Sequence, residues 1–172
     1  LFEREFAARH GVPYASVMLS GGAACHSAIA AIDPEPGEEV IVSALAGMGV
    51  VSAILYQGAV PVFADVDPDT LVMTAETVAP QVSSSTRAII ADHLFGQPCD
   101  VESIRAAAPG VPIIEDCCHA PLAAHTEAPA GSSSAASRGT IRTRRRIPMR
   151  VTPVGPADPG AAASTPCRRP PR

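Results

Sequence analysis

Short apolar runs alternate with helix-forming segments across residues 1–122, and that alternation leaves the chain few folds to choose from. The runs are YASVML (14–19), EEVIVSAL (38–45), AVPVFADV (59–66), TRAIIADHLFG (86–96) and VPIIED (111–116). Between them, EREFAARHG has helical spacing with Gly11 placed to end it. SGGAACHSAIAAI opens a helix from a Gly-rich turn, and AGMGVVSAILYQG reads as a helix closed by Gly58. TAETVAPQV starts at a probable-cap residue type, Thr74, and DVESIRAAAPG at another, Asp100, because both side chains can accept a first-turn N–H. DPEPG and DPDT are turns. The strands are nearly continuous in Val, Ile and Ala rather than alternating with polar residues, so both of their faces are buried. That pattern predicts an α/β fold: a mostly parallel sheet with helices on both faces.

The pattern stops near residue 125, and composition shows why. The 13 basic residues are all Arg, so the chain contains no lysine. Residues 1–125 hold 15 acids against 4 Arg, a charge of −11, whereas residues 126–172 hold 2 acids against 9 Arg, a charge of +7. The last aromatic is Phe95, and half of the 18 prolines fall from Pro121 onward. Residues 1–125 therefore read as a folded α/β segment. Residues 126–172, rich in Ala, Pro, Ser, Gly and Arg with little to bury, read as a disordered tail. Such a composition is also what GC-rich coding sequence gives out of frame.

No run approaches the 18 or more apolar residues of a membrane span, and the charged opening LFEREF lacks a signal-peptide block. Five Cys (25, 99, 117, 118 and 167) form no CxxC pair and no even ladder, which suits a reducing compartment and points to the cytoplasm. RTRRRIPMR carries clustered Arg without aromatic platforms or a nucleic-acid motif, so a solvated charge run is the plainer reading.

Two pieces carry chemistry, and both fall at the carboxyl ends of predicted strands, where ligands bind in open α/β sheets. The first is SGGAAC (20–25). Backbone N–H groups of Gly21, Gly22 and Ala23, with the positive end of the helix dipole, suit a phosphate. It matches neither the P-loop nor G-x-G-x-x-G, and it reads equally as a tight turn that needs glycine. The second is VPIIEDCCHA (111–120). The carboxylate of Asp116 can keep a pyridine nitrogen protonated so that the ring acts as an electron sink, and His119 can reach a phenolic oxygen of that ring. Asp116 can equally be the N-cap of a following helix. A metal site at Cys117, Cys118 and His119 is disfavoured, since adjacent Cys side chains seldom converge on one ion, and no second ligand pair follows. His93 ends another strand and is placed in the same crevice; His10 and His26 read as surface or packing residues.

Taken together, FEREFAARHGVPYASVMLSGGAACHSAIAAI, PGEEVIVSALA, AILYQGAVPVFADVDPDTLVM, TRAIIADHLFGQPCDVESI and VPIIEDCCHA closely resemble, in order and spacing, the DegT/DnrJ/EryC1/StrS family of pyridoxal-phosphate-dependent aminotransferases. The resemblance implies a partial large domain of the aspartate aminotransferase-like (fold type I) fold. It implies pyridoxal 5′-phosphate as cofactor, with Gly21, Gly22 and Ala23 near its phosphate, Asp116 on the pyridinium nitrogen and His119 beside the ring's O3′. By family, an amino donor such as glutamate or glutamine and a nucleotide-linked keto sugar or a cyclitol are the substrates, and the assembly is a homodimer. The sequence departs from the family in three places. Gly22 replaces the usual Thr of the phosphate turn and removes a hydroxyl donor. ALAGM puts Gly47 where an aromatic stacks on the ring, leaving Met48 to cover that face. The lysine that holds the cofactor is absent, so the resemblance implies a chain that is catalytically incompetent by itself, with a non-catalytic relic or partner subunit as the alternative.

Overall fold

The computed structural model describes residues 1–10 and 12–120; Gly11 and the 126–172 segment, to which the sequence assigned a helix end and a disordered tail, lie outside the described residues. Five helices and four strands follow in the order α1 (Phe2–Arg9), α2 (Gly21–Ile32), β1 (Glu39–Ser43), α3 (Met48–Tyr56), β2 (Val60–Ala64), α4 (Ala75–Val78), β3 (Thr86–Asp92), α5 (Val101–Ala107) and β4 (Ile113–Asp116). The strands form one parallel sheet in the order β2-β1-β3-β4.

Burial follows from the sequence of each strand. Val40, Ile41 and Val42 of β1 and Ala88 to Ala91 of β3 are fully buried, as central strands covered on both faces must be. On β2 Val60 and Phe63 remain exposed, and Pro61 sits there because proline, lacking an N–H, is tolerated at a sheet edge. Alternate side chains build two separate cores. Ile41, Ile89 and Ile113 pack with Met73, Val78 and Ile104 under α4 and α5. Val40, Val42, Ala88 and Ile90 pack with Ile29, Ile32, Ala53 and Ile54 under α2 and α3.

The ends are set locally. Thr74 and Thr77 exchange backbone N–H bonds in a capping box. Helix α4 then gives way to a 3-10 turn at Ala79–Gln81, where Pro80 supplies no N–H to continue the α pattern. Asp100 Oδ1 accepts the N–H of Ser103 (3.1 Å) to start α5. Asp67 accepts the N–H groups of Asp69 and Thr70, closing the DPDT turn.

One expected strand is missing. Residues 14–19 form no strand, and Leu19 is 101% exposed. The segment has strand-forming residues, but no neighbour among the described residues pairs with it, and an unpaired strand has no ladder to hold it.

Candidate functional site

The site forms where the carboxyl ends of β3 and β4 meet the first turns of α2 and α3. Ser20 has extended backbone angles and caps α2, its Oγ accepting the N–H of Ala23 (3.2 Å) while its carbonyl accepts Ala24 N–H. Gly21 and Gly22 are therefore the first helical residues rather than a preceding turn. The N–H of Ala23, expected free for a phosphate, is occupied by the cap; those of Gly21 and Gly22 have no acceptor among the described residues. The first turn of α2 also lies close to its neighbours. A Cβ built on Gly21 would stand 3.5 Å from Cys118 Sγ, and one built on Gly22 would stand 3.9 Å from Gly49 Cα. The first turns of α2 and α3 thus touch, and two positive dipole ends converge. Met48 is the first residue of α3 and is 77% exposed, free to lie over a ligand at this mouth.

Asp116 ends β4 and is 9% exposed. It caps no helix among the described residues. Its Oδ1 accepts the N–H of Cys118 (3.0 Å), an Asx-type turn, and its Oδ2 accepts the thiol of Cys25 on α2 (3.7 Å). Burial and then Asp116 push the Cys25 thiol up to about 12; the hydrogen bond to Asp116 and then burial push Cys118 up to about 11. Both thiols stay protonated at neutral pH rather than act as nucleophiles, and that of Cys25 donates to the carboxyl. His119 is exposed and tilts against Phe95 with ring centroids 6.0 Å apart, on the rim of the same mouth.

Asp92, which the sequence reading passed over, ends β3 directly beside Asp116 and is buried. Its carboxyl is pushed up to about 6 by burial first and by Asp116 second, against the opposing pull of His119 and His93. It carried the same signal as Asp116, an acid at the end of an apolar strand.

His93 does not line this crevice. It is fully buried on the opposite side of the sheet, where Nδ1 accepts the N–H of Cys99 (2.9 Å) and Nε2 meets Glu115 Oε2 (3.1 Å). His93, Glu115 and Cys117 bring their ligand atoms within 4.8 Å of one another, a cluster that no sequence spacing announced. With Nδ1 accepting, the ring proton sits on Nε2 and points at Glu115, leaving no lone pair for a metal ion. His10 stacks on Phe6, and His26 bonds Gln57 beside Tyr56, both packing roles as expected.

Comparison with known proteins shows which family the chain belongs to. The family model for the DegT/DnrJ/EryC1/StrS aminotransferase family matches residues 1–138. The chain is 39% identical over 121 residues to GDP-perosamine synthase of Escherichia coli O157:H7, covering 69% of this chain and 33% of that protein. It is 40% identical over 121 residues to L-glutamine:2-deoxy-scyllo-inosose aminotransferase of Streptomyces fradiae, covering 69% of this chain and 28% of that protein. The chain thus spans about a third of the length of these curated relatives. Among solved structures, an aminotransferase from Psychrobacter cryohalolentis superposes with a TM-score of 0.67 at 39% identity, covering 69% of this chain and 31% of that one. GDP-4-keto-6-deoxymannose-3-dehydratase, solved with a trapped PLP-glutamate geminal diamine, superposes with a TM-score of 0.72 at 29% identity, covering 76% and 36%. The chain therefore belongs to the DegT/DnrJ/EryC1/StrS aminotransferase family, carrying part of the large α/β domain of the fold type I pyridoxal-phosphate-dependent enzymes.

Proposed function

We propose that this chain carries the ring- and phosphate-handling part of a pyridoxal-phosphate pocket from an aminotransferase acting on keto sugars or cyclitols, without the residue that completes the chemistry. The observation that carries the reading is Asp116: a buried acid at the end of β4, held by Cys25 and Cys118 and facing the first turn of α2. Its carboxyl is placed to keep a ring nitrogen protonated, the free N–H groups of Gly21 and Gly22 are suited to a phosphate, Met48 to a ring face and His119 to a phenolic oxygen. Ala23 would join the phosphate cradle only by giving up its bond to Ser20. When bound, pyridoxal phosphate supplies the electron sink for transamination. No lysine exists in the chain to hold it covalently or move a proton at the substrate carbon. The residues present bind and orient; they do not turn over.

The substrates follow the relatives: a nucleotide-linked keto sugar or a cyclitol, and glutamate or glutamine as amino donor. A homodimer in the cytoplasm fits the exposed Leu45, Met48 and Phe63 and the four free thiols among the described residues. The missing lysine also favours a second role, a non-catalytic partner subunit. Among the described residues no helix is long and apolar enough to cross a membrane.

Titrating pyridoxal phosphate into the full chain tests the reading. Non-covalent binding, weakened at least about tenfold by Asp116→Asn through loss of the charge partner, is the expected result. Borohydride should fix no label on the chain, and transamination should be undetectable. Label retained after borohydride, or binding indifferent to Asp116→Asn, would overturn it.

A further inference from the structure

Asp116 is fully engaged, but the acid beside it is not. Asp92 and Asp116 are register partners at the ends of adjacent parallel strands, which lie about 4.8 Å apart, so their side chains leave the sheet on the same face. Their backbones are tied by the N–H of His93 donating to the carbonyl of Asp116 (3.0 Å). The shared face is that of Ala88, Ile90 and Ile114, the side covered by α2 and α3. Asp92 is 5% exposed, and among the described residues its carboxyl accepts no hydrogen bond. No oxygen of it is both enclosed and unpaired, so whatever satisfies it reaches it through the open mouth of the site. Its register partner Asp116, which the cofactor reading pairs with a protonated ring nitrogen, indicates what that is.

We propose that Asp92 is a second acid of the pocket, a positioning residue that acts beside Asp116 to tighten the hold on a protonated pyridine nitrogen. The proposal rests on the pyridoxal-phosphate reading. The titratable groups facing Asp92 are Asp116 on β4, His119 beyond it, and the thiols of Cys25 on α2 and Cys118, with His93 and Cys99 acting across the sheet from the other face. Without ligand, burial and the neighbouring acid keep a proton on Asp92 until pH rises to about 6. A cation bound at Asp116 reverses the balance, because the ionised form of Asp92 is then attracted rather than repelled. Binding therefore expels the Asp92 proton at mildly acid pH, and affinity for the cationic ring climbs as Asp92 ionises. By linkage the two effects are the same free energy seen from two sides.

The experiment uses the full chain and pyridoxine 5′-phosphate, whose alcohol in place of the aldehyde keeps binding non-covalent. Dissociation constants are measured by calorimetry at pH 5 and pH 7.5 for the native chain, Asp92→Asn, Asp92→Glu and Asp116→Asn. Titration of the probe's own phosphate is common to all and cancels in ratios to the native chain. The expected result is no difference between native and Asp92→Asn at pH 5, roughly tenfold weaker binding by the variant at pH 7.5, and recovery in Asp92→Glu. A ratio equal at both pH values overturns the role of Asp92 while leaving the cofactor reading intact, provided that Asp116→Asn still weakens binding about tenfold or more. No binding by the native chain at either pH overturns the cofactor reading, and this proposal with it. A carboxyl-carbon NMR titration of the ligand-free native chain needs no variant of Asp92. A midpoint near 6 that falls on Asp116→Asn supports the coupled pair, and an unmoved midpoint refutes it.

Discussion

The two faces of the sheet are made from alternate residues of the same strands, and they end differently. Under α4 and α5, the last polar residues are His93 and Glu115, which satisfy one another and the N–H of Cys99 in a closed interior. Under α2 and α3, they are Asp92 and Asp116, at a mouth lined by glycine and two helix starts. Polar residues crowd the ends of β3 and β4 on both sides, so crowding alone does not mark a ligand site. What separates the faces is Asp92, whose carboxyl, unlike His93, Glu115 and Asp116, accepts no hydrogen bond among the described residues and opens on the mouth.

The contrast can be broken, beginning with the largest effects. Ile89→Ala and Ile90→Ala each empty a fully buried position, one per face, and each should cost about 2–5 kcal/mol in urea unfolding. If the faces are functionally distinct, only Ile90→Ala should also weaken pyridoxine-phosphate binding. The acids are separated from the closed pair by pH. Because Asp92 is raised in the folded chain to about 6 from an ordinary 3.8, the folded state holds the extra proton; stability is full below about 4 and falls as pH rises through about 6. The loss is on the order of 2–3 kcal/mol at most, and Asp92→Asn should abolish this slope in thermal melts taken from pH 4 to 7. His93→Leu strands the Cys99 N–H and should cost roughly 1–3 kcal/mol, with ligand affinity unchanged. A drop in affinity there would erase the distinction between the faces. The smallest effects compare the helix starts. Ser20→Ala and Asp100→Ala should each cost about 1 kcal/mol, but only Ser20→Ala, by releasing the Ala23 N–H, should alter phosphate binding.

Much of this was legible in the sequence, for reasons the residues make plain. β1, β3 and β4 announce themselves because a strand buried on both faces is apolar throughout, and the caps at Thr74 and Asp100 because their side chains act within three residues. Asp116 was legible as an acid out of place. What could not be read depended on partners distant in the chain. Residues 14–19 have strand-forming side chains, yet a strand exists only with a neighbour. The meeting of His93 with Glu115 and Cys117 depends on the register of β3 with β4. His93 was misplaced because one residue of alternation at a strand end decides which face it serves. Asp92 carries the same signal as Asp116, an acid at the end of an apolar strand, and faces the mouth where its neighbour His93 does not.

The near-contact of Gly22 with Gly49 bears on how fixed this pocket is. A Cβ at residue 22 would meet Gly49 at ordinary van der Waals distance, and the backbone there is helical, so neither space nor conformation demands glycine. A hydroxyl-bearing side chain there, which the family resemblance leads one to expect, would start from a Cβ that the two helices already accommodate. Gly22→Thr therefore asks whether the chemistry of this turn can change while its frame stays.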